Sequence, residues 1–414
     1  MLDGIGDLPH PDLNGLTPLD AAKTPNMDSL ARNGCMGQVI SVGKGVAPQS
    51  DIAVFNMLGY NFKGENYVGR GVIEIIGSGE DFKDGDLALR GNFATLGHDN
   101  KIIDRRAGRT IEQEEAKELC HYLEQNMKFS DPDISVKIIP TVAHRVIVRL
   151  RHSKIRLSEK ITNTDPAYDR IDGIGIAKTF AKDMRLKSCI AEDDSESSIL
   201  SARLVNELTK QCISLAKKHA VNTKRIRQTK KPMNIILLRD PGNRVPSLEP
   251  INAKYGILAA CIVDMPVEMG IAKTLGIEPF SAGDIDDFEI KAKKTGMLLE
   301  KFDLVYVHLK GPDEYGHDGN ATGKKENIEC IDRRFFGTLL KDPLSINSTI
   351  IICGDHSTPC IKKAHTDDPI PLLLSGNLIK KDSSERFTEY YGSRGMLGLL
   401  NGAVVLERAI KMIK

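Results

Sequence analysis

The chain has 414 residues, enough for a large hydrophobic core and for two domains, or for one domain that carries a large insertion. Lysine and arginine number 57 and aspartate and glutamate 56, so the net charge of +1 gives no general attraction to nucleic acids or acidic membranes. Tryptophan is absent and aromatic residues make up 5% of the chain, which leaves few side chains for stacking on bases. We therefore expect no nucleic-acid or membrane partner.

The sequence also shows no sign of secretion or of a membrane span. It does not begin with a charged stretch followed by an apolar one, and no apolar run approaches the roughly 20 residues of a membrane helix. The eight cysteines are scattered, and no two have C-x-x-C spacing. We therefore expect free thiols in a reducing cytoplasm, which argues against disulfides and against a thiol-based zinc or redox protein.

The first stretch, MLDGIGD, has the pattern of a strand end followed by its loop. A complete strand would place about five or six apolar residues before Asp3, but only Met1 and Leu2 precede it. We therefore expect the native start to lie upstream, and we expect Asp3 to be poorly anchored if the strand is missing. Helical patterns follow at 24–33 and 50–58.

The middle of the chain has a different pattern and predicts a smaller α+β domain inserted at 86–190. The stretches DLALRGNFATL, ISVKIIP and HRVIVRLR are typical of strands, and a helical pattern covers 110–127. A long helical pattern at 193–219 and the basic stretch NTKRIRQTKK come next. The core is therefore predicted to consist of 1–85 and 191–414.

In the second part of the core, predicted strands alternate with helices. The runs NIILLR, AACIVDM, FDLVYVHLK and STIIICGD predict buried strands, and helical patterns at 266–275, 288–300 and 324–340 separate several of them. This order predicts an α/β fold with a mostly parallel sheet covered by helices on both faces. Because ligands bind beyond the carboxyl ends of such strands, polar residues that follow the strands should lie on one rim.

Four segments contain the carboxylates and imidazoles that bind metal ions. They are LDGIGD with Asp3 and Asp7, GPDEYGHDG with Asp313, His317 and Asp318, GDHSTPC with Asp355 and His356, and KKAHTDDP with His365. Any one of them alone is also typical of a surface loop with a capping aspartate. Together they predict a shared metal site, and mixed oxygen and nitrogen ligands suit Mn²⁺, Zn²⁺, Co²⁺ or Fe²⁺ better than Ca²⁺.

A fifth segment, GVAPQSDIAVFNMLGY, places Ser50 where a helix should begin. The local pattern favours an N-cap serine that bonds to the first helical amides. The same position also suits a nucleophile, because free amides and the positive end of the helix dipole stabilise a transferred phosphoryl group. A metal bound to the serine oxygen would lower the pKa of the hydroxyl. Local sequence leaves both roles open.

Taken in order, these motifs resemble the archaeal-type 2,3-bisphosphoglycerate-independent phosphoglycerate mutases of the alkaline phosphatase superfamily. The matching stretches run over nearly the whole chain: DGIGD, TPLDAAKTPNMDSLARNG, PQSDIAVFNMLGY, GRGVIEIIGSG, RGNFAT, DRRAGR, HRVIV, NTDP, PMNIILLRDPG, VHLKGPDEYGHDG and GDHSTPCIKKAHTDDPIPLLL. The resemblance implies an alkaline-phosphatase-like core. It also implies an isomerase of glycolysis and gluconeogenesis that interconverts 3-phosphoglycerate and 2-phosphoglycerate.

The resemblance further implies two divalent metal ions, Mn²⁺ in the first place, with Mg²⁺, Co²⁺ or Zn²⁺ as alternatives. One ion would be held by Asp3, Ser50, Asp355 and His356, and the other by Asp313, His317 and His365. Ser50 would attack the substrate phosphate and become phosphoserine, and the retained glycerate would take the phosphoryl group back on its other hydroxyl. Cys353 and Cys360 would then be strand and loop residues and not ligands.

Retention of the glycerate requires a pocket for a carboxylate and a phosphate, and the planar fork of arginine suits both. The implied substrate-binding residues are Arg105, Arg106, Arg109, His144, Arg145, Asp165, Arg239 and Lys310. Asp165 would orient one of these side chains or hold a proton, and Lys310 would bridge the substrate and the metals. The position of the arginines in an inserted domain would fit a hinge that closes over the substrate.

The chain departs from the family pattern near this pocket. Asp240 and Pro241 follow the arginine of LLRDPG where the family has glycine, and Ala167 stands where the family has histidine after the DP of NTDP. These differences concern the details of substrate binding more than metal binding.

Two other classes of protein stay open. A phosphatase, phosphodiesterase or sulfatase of the same superfamily would share the metal core but would release the organic group to water. A metal-binding scaffold that has lost catalysis would bind metal and form no phosphoserine. The motifs DRRAGR and HRVIV favour the mutase. The sequence predicts a small-molecule substrate and leaves a homo-oligomer open.

Overall fold

The computed structural model describes residues 1–62, 64–171, 174–177 and 184–413. The chain forms two units: the first is Met1–Phe62, Leu248–Asp264 and Ile271–Lys414, and the second is Lys63–Ser247 and Met265–Gly270. The insertion predicted at 86–190 falls within the range of the second unit, and so does 191–247, which the sequence assigns to the core. The predicted domain boundaries themselves stay a prediction.

Strands and helices alternate along much of the chain, and this confirms the predicted α/β class. The β-strands are β1 Gly34–Ile40, β2 Leu87–Leu96, β3 Ile102–Asp104, β4 Ile134–Pro140, β5 Arg145–His152, β6 Tyr168–Ile171, β7 Ile174–Ala177, β8 Ile235–Gly242, β9 Ala259–Ile262, β10 Glu278–Phe280, β11 Leu304–Val307, β12 Ile350–Cys353, β13 Ile370–Ser375 and β14 Gly398–Asn401.

The helices match most of the predicted helical patterns. The α-helices are α1 Pro18–Ala21, α2 Pro25–Arg32, α3 Ser50–Met57, α4 Arg70–Ser78, α5 Gln113–Asn126, α6 Glu196–Lys218, α7 Ala220–Arg227, α8 Ile251–Tyr255, α9 Pro266–Leu275, α10 Phe288–Leu299, α11 Pro312–Asp318, α12 Ala321–Ile331, α13 Gly337–Leu339, α14 Pro343–Asn347, α15 Glu389–Gly392 and α16 Val405–Ile413. A π-helical turn, Asp332–Phe336, joins α12 to α13. None of the helices in the described part of the chain combines the length and apolar composition that a bilayer crossing requires.

The first unit contains two sheets. One has the order β12, β13, β1 and β14, in which β13 is antiparallel to both neighbours and β1 and β14 are parallel. The other has the order β10, β9 and β11, and its pairs are parallel. β11 and β12 both end in loops that carry predicted metal ligands, so the carboxyl ends of these strands position the site.

The N-terminal residues lie between these two sheets. Leu2 forms parallel bridges with Leu309, just after β11, and with Gly354, just after β12. The Leu2 amide donates to the Cys353 carbonyl at 2.8 Å, and the Asp3 amide donates to the Leu309 carbonyl at 2.9 Å. Leu2 is buried. The expectation that Asp3 is poorly anchored is therefore wrong, because two backbone hydrogen bonds and an apolar contact fix its position.

The second unit contains an antiparallel sheet in which β3, β2, β5 and β4 follow one another and β8 also pairs with β2. The run NIILLR forms β8, and the prediction that it joins a mostly parallel sheet is wrong. Every residue of β8 is buried, because α4 and α6 pack against this strand. A strand buried on both faces has the same continuous apolar pattern in a parallel and in an antiparallel sheet. β6 and β7 form a separate antiparallel pair.

The core of the second unit forms where α5 and α6 pack beside this sheet. A capping box of Glu112 and Glu115 starts α5. The apolar face of α5 then buries Leu119, which shares one core cluster with Leu208 of α6 and Val148 of β5. Burial of each such side chain contributes about 1.5–3 kcal/mol. The sheet that carries several predicted substrate residues is therefore rigidly supported.

Candidate active site

The predicted metal ligands of the first unit come together at the carboxyl ends of β11 and β12. Asp313 and His317 lie one turn apart on α11, which begins soon after β11, and this spacing places both side chains on one helix face. Asp355 and His356 follow β12 directly, and His365 lies in the loop that leads to β13. Short connections after these two strands, which are both followed by a parallel bridge to Leu2, thus bring these segments to one rim, as predicted.

Asp313, His317 and His365 form one half of this cluster. The Nε2 atom of His365 lies 3.3 Å from Asp313 Oδ1, and the Nε2 atom of His317 lies 3.6 Å from the same oxygen. The two Nε2 atoms are only 3.2 Å apart. His365 Nδ1 donates to the Pro48 carbonyl at 2.7 Å, and His317 Nδ1 to the Lys363 carbonyl at 3.2 Å. Because carbonyls only accept, each imidazole in its neutral form turns a lone pair on Nε2 toward the same point, where a bound cation would take the place of the Nε2 proton.

Asp3, Asp355 and His356 form the other half. His356 Nε2 lies 3.3 Å from Asp355 Oδ2 and 3.6 Å from Asp3 Oδ1. Asp355 Oδ1 accepts from the amides of Gly4 and His356, at 2.9 and 3.0 Å. Within the described part of the chain, Asp3 Oδ1 and Asp355 Oδ2 are buried and accept no hydrogen bond. Buried carboxylate oxygens without a donor are costly unless a cation or proton satisfies them.

The charges in the cluster shift the pKa values of its members in opposite directions. Burial raises the pKa of Asp355 well above its ordinary value, and the Asp3 carboxylate adds to this effect. Burial also lowers the pKa of His356 well below its ordinary value. At Asp313 burial acts upward, but the hydrogen bond and charge of His365 outweigh it and hold the pKa well below normal. The same pairing raises the pKa of His365 to about 9 against the effect of burial.

The donor set of this cluster fits a divalent cation. Three overlapping groups of ligand atoms each lie within 4.8 Å of one another: Asp313, His317 and His365; Asp3, Asp313 and His356; and Asp3, His308 and Asp355. Three carboxylates are concentrated here, and Lys310 offsets one of them by donating to Asp3 Oδ2 at 2.9 Å. Carboxylate oxygens mixed with neutral imidazole nitrogens are suited to Mn²⁺, Zn²⁺ or Co²⁺. The sequence leaves the choice among these ions open, and so does this geometry.

A fourth group of candidate ligands, in the second unit, does not fit a metal ion. It consists of Asp131, Asp133 and His152. His152 Nδ1 accepts from the amides of Lys154 and Ile155 at 3.0 and 3.1 Å. The neutral ring therefore carries its proton on Nε2, which faces Asp131 Oδ2 at 3.3 Å. Since this ring has no lone pair left for a cation, the group is a hydrogen-bonded turn.

Ser50 is the first residue of α3, and Gln49 precedes it as the N-cap. The capping role that the local sequence favours is therefore wrong. The Oγ atom of Ser50 lies 3.3 Å from His356 Nε2 instead. This contact brings the serine hydroxyl to the edge of the ligand cluster, at the amino end of a helix, where the dipole favours negative charge.

Two residues of the predicted ligand segments lie apart from these groups. The Asp7 side chain is buried in an ion pair with Lys324, at 2.8 Å, and also accepts from the Cys360 amide at 3.1 Å. Asp7 thus joins two loops and its role as a metal ligand is not supported. Asp318 is exposed at the end of α11, outside the groups described above.

Two residues near the ligands have no clear signal in the sequence. His308 is fully buried just after β11, and its Nε2 lies 3.7 Å from Asp355 Oδ2. Thr358 donates from Oγ1 to Asp313 Oδ1 at 2.7 Å and lies 3.0 Å from His356 Nδ1. His308 lies within an apolar stretch that predicts a strand. Only its position at the carboxyl end of that strand could have indicated its contact with Asp355. Cys353 ends β12 and Cys360 lies in the loop that follows.

The other predicted site residues lie in the second unit, where Asp165 joins two of the arginines. Arg105 donates to both oxygens of Asp165, at 3.1 and 2.5 Å, and Arg239 donates to Oδ2 at 3.4 Å. The guanidinium groups of Arg239 and Arg105 lie 4.4 and 5.2 Å from the centre of the Tyr168 ring. Tyr168 was not predicted, although it lies three residues after Asp165. Asp165 is fully buried and therefore fixes both arginines.

A second buried carboxylate, also missed from the sequence, organises two more arginines. Glu74 lies 2.8 Å from Nε of Arg70 and 3.2 Å from Nε of Arg90. Burial lowers the pKa of Arg90 to about 9, and the neighbouring Arg70 acts in the same direction. Burial and the charge of Arg70 also lower the pKa of Arg145, whereas Glu74 acts in the opposite direction. In this part of the second unit, the arginines outnumber the carboxylates Glu74, Asp165 and Asp240, an arrangement that attracts anions; these arginines are Arg70, Arg90, Arg105, Arg145 and Arg239.

His144 and the end of LLRDPG lie in the same positive field. Burial lowers the pKa of His144 to about 3, and Arg145 contributes next. Asp240, one of the departures from the family pattern, has φ 52, a left-handed conformation that favours glycine. Its carboxylate is buried 3.7 Å from Nε of Arg239. Arg106 and Arg109 line a cavity of about 610 Å³ together with Arg105, Lys230 and Lys231.

Comparison with known proteins connects both sets of residues to one family. The sequence profile described as 2,3-bisphosphoglycerate-independent phosphoglycerate mutase matches residues 31–222. The chain is 37% identical to the protein of that name from Aeropyrum pernix, over 100% of this chain and 98% of that protein. It is 35% identical to the one from Methanopyrus kandleri, over 98% and 93%.

Two solved structures are similar over the whole chain. A protein from Pyrococcus horikoshii is similar with a TM-score of 0.78 and 28% identity, over 100% of this chain and 96% of that one. The cofactor-independent phosphoglycerate mutase of Thermoplasma acidophilum is similar with a TM-score of 0.62 and 25% identity, over 100% and 98%.

Proposed function

This chain belongs to the family of 2,3-bisphosphoglycerate-independent phosphoglycerate mutases, and we propose that it interconverts 3-phosphoglycerate and 2-phosphoglycerate through a phosphoserine on Ser50. It is accordingly an isomerase, with a place in glycolysis and gluconeogenesis. The observation that carries the proposal is the 3.3 Å contact between Ser50 Oγ and His356 Nε2 at the amino end of α3. This contact supports Ser50 as the nucleophile, because its hydroxyl lies beside the ligand cluster.

Two divalent metal ions would complete this site. We assign Asp3, Ser50, Asp355 and His356 to one ion and Asp313, His317 and His365 to the other, with Mn²⁺ preferred over Mg²⁺, Co²⁺ or Zn²⁺. The assignment is supported by the convergent Nε2 lone pairs and by the buried carboxylate oxygens that accept no hydrogen bond in the described residues. When bound, such ions would make the serine hydroxyl more acidic and would stabilise the charge of the transferred phosphoryl group.

The phosphoryl transfer would take place in two half-reactions at Ser50. Ser50 Oγ loses its proton and forms a bond to phosphorus, while the bond from phosphorus to the glycerate oxygen breaks and that oxygen takes up a proton. In the second half, the other glycerate hydroxyl loses its proton, attacks the phosphoserine, and returns the Ser50 oxygen to its protonated form. The positive end of the α3 dipole would favour the negative phosphoryl group at this position.

Isomerisation, as opposed to hydrolysis, requires that the glycerate stays bound between the two halves. We assign this role to Arg105, Arg106, Arg109, His144, Arg145, Asp165, Arg239 and Lys310. Asp165 would hold Arg105 and Arg239 in place through the contacts described above. The rigid guanidinium groups would then bind the carboxylate and phosphate of the substrate by paired hydrogen bonds.

The finer features of the fold belong to the same proposal. We propose that the first unit is an alkaline-phosphatase-like core with a mostly parallel sheet covered by helices on both faces, and that the substrate domain is a smaller α+β insertion. The parallel pairs of β9, β10 and β11, together with the bridges of Leu2, support the first point. A cytoplasmic location is supported by the eight free thiols.

An enolase-coupled assay tests the proposal. The full chain is incubated with 3-phosphoglycerate and Mn²⁺, without 2,3-bisphosphoglycerate, and inorganic phosphate is measured in parallel. We expect turnover that depends on the metal and is lost in Ser50→Ala, with little release of phosphate. Phosphate release without 2-phosphoglycerate would identify a phosphatase and would overturn the mutase proposal.

A further inference from the structure

Arg225 is a fully buried arginine in α7, within the basic stretch that the sequence leaves unexplained. All five of its N–H groups are used. Nε donates to the Lys231 carbonyl at 2.9 Å. Nη1 donates to the Thr110 carbonyl at 3.1 Å and to Glu115. Nη2 donates to the Ala107 carbonyl and to Thr110 Oγ1, both at 3.1 Å. Arg225 therefore has no N–H group left to bind substrate.

Most of these bonds go to the loop that carries the arginines of DRRAGR. Three consecutive residues of that loop are left-handed: Ala107 with φ 44, Gly108 with φ 77 and Arg109 with φ 55. A left-handed conformation costs roughly 1–2 kcal/mol for a residue other than glycine, so this turn needs contacts that stabilise it. The bonds from Arg225 to the carbonyls of Ala107 and Thr110 supply such contacts on both sides of Gly108.

The remaining bonds of Arg225 connect the loop to its surroundings. Glu115 lies in the first turn of α5 and forms its capping box, so Arg225 ties the loop to the start of that helix. Lys231 accepts from Arg225 through its carbonyl and donates from Nζ to Asp104 at 2.6 Å. The loop between Asp104 and Thr110 is thus held at both ends by one basic segment.

We propose that Arg225 is a positioning residue for substrate binding: it holds the left-handed turn at Ala107–Arg109 in the shape that presents Arg105, Arg106 and Arg109 to the anionic groups of phosphoglycerate. The inference rests on the proposed function, since it assumes that these arginines bind the substrate. A purely structural arginine would affect stability alone. A positioning arginine also changes substrate affinity.

The test compares Arg225→Lys with Arg151→Lys. Lysine keeps the charge beside Glu115 but has only three donors, so it loses bonds to the loop. Arg151 is the matched control because it also pairs with carboxylates in the second unit, donating to Asp86 at 2.6 Å and to Asp81 at 2.8 Å, on the end of β5 remote from Arg145. Both variants are measured as Mn²⁺-loaded full chains.

Four quantities are measured for each variant: the melting temperature, kcat and KM in the coupled assay, and the Kd of 3-phosphoglycerate in a Ser50→Ala background, where no phosphoryl transfer occurs. For Arg225→Lys we expect KM and Kd to rise about 10-fold while kcat changes less than about twofold, because the loss is in ground-state binding. Arg151→Lys should lower the melting temperature with KM and Kd unchanged. An unchanged Kd in Arg225→Lys overturns the positioning role.

Gly108→Ala provides a second test in case Arg225→Lys does not fold. A Cβ atom at Gly108 would approach Thr110 Oγ1 no closer than 3.5 Å, so the change adds backbone strain without a clash. We expect Kd to rise by about threefold or more from this strain alone. An unchanged Kd in this variant also contradicts the proposal.

The outcomes separate this inference from the proposed function. If the wild-type chain binds 3-phosphoglycerate but shows no mutase turnover, the proposed function fails, while a weaker Kd in Arg225→Lys still supports the positioning role. If the wild-type chain turns over normally and both variants keep its KM and Kd, the positioning role fails and the function stands. If the Mn²⁺-loaded Ser50→Ala chain shows no binding at all, the arginines do not bind the substrate and the inference is overturned.

Discussion

Lys324 is a buried cation whose removal should destabilise the first unit. It is fully buried on α12, and its Nζ donates to Asp7 Oδ2 at 2.8 Å, to the Gly6 carbonyl at 3.1 Å and to the Thr358 carbonyl at 3.0 Å. These bonds connect the loop after Asp3 with the loop after His356. Lys324→Met keeps the length of the side chain and removes all three bonds.

The size of the effect follows from what the substitution leaves behind. Removal of one partner of a buried ion pair costs about 3–5 kcal/mol, because the other charge stays buried. Asp7 would keep its bonds to the amides of Leu8, at 2.8 Å, and Cys360, at 3.1 Å. The carboxylate is therefore partly stabilised, and we expect a loss near the lower limit, about 3 kcal/mol in the free energy of unfolding.

Urea unfolding of the full chain measures this loss. Lys325→Met is the matched control, since the neighbouring lysine pairs with Glu329 at 3.6 Å on the surface of the same helix and should contribute less than about 1 kcal/mol. The double variant Lys324→Met with Asp7→Asn should recover part of the loss, because it removes the unpaired charge. If Lys324→Met and Lys325→Met lose the same small amount, the buried pair does not stabilise the fold and the reasoning is refuted.

Three further predictions concern single side chains. Burial raises the pKa of Glu389 from 4.5 to about 8, so the folded state keeps a proton that the unfolded state loses and stability should fall as pH rises through that interval. In Glu389→Gln, the free energy of unfolding measured in urea should fall by about 2–3 kcal/mol less between pH 5 and about pH 8 than in the wild type. An equal fall in both proteins would contradict this prediction. Asp240→Gly should stabilise the chain by about 1 kcal/mol, because it relieves a left-handed aspartate and a buried carboxylate; lower stability would refute this. Thr358→Val should weaken Mn²⁺ binding about 10–100-fold in calorimetry, because the Nδ1 proton of His356 loses its acceptor. Thr366→Val should leave the affinity unchanged. Equal affinities of the two variants would show that Thr358 does not orient the His356 ring.

The strands and helices could be predicted well where the pattern is local. The helical patterns at 110–127 and 193–219 correspond to Gln113–Asn126 and Glu196–Lys218, because apolar periodicity and caps mark a helix within a short window. The pairing of β8 could not be predicted. Its partner, β2, lies more than a hundred residues earlier in the chain, and an all-buried strand gives no information on direction.

In the candidate site, too, residues marked by a local pattern could be predicted, and contacts between distant parts of the chain could not. Asp313, His317, Asp355, His356 and His365 could be brought together from the sequence because each follows closely on a strand or lies in a short loop. The role of Asp7 could not, because its partner Lys324 is 317 residues away. The second unit could be predicted only in part. Glu74 and the two arginines that it joins belong to α4 and β2, which no motif connects with DRRAGR.

A phosphoserine on Ser50 can be measured directly. The Mn²⁺-loaded chain is mixed with 3-phosphoglycerate, quenched in acid during turnover, digested, and examined by peptide mass spectrometry. We predict one added phosphoryl group on Ser50, and none on the corresponding peptide of Ser50→Ala. Active enzyme that carries no phosphoryl group under these conditions, or carries it on another residue, would contradict transfer through Ser50.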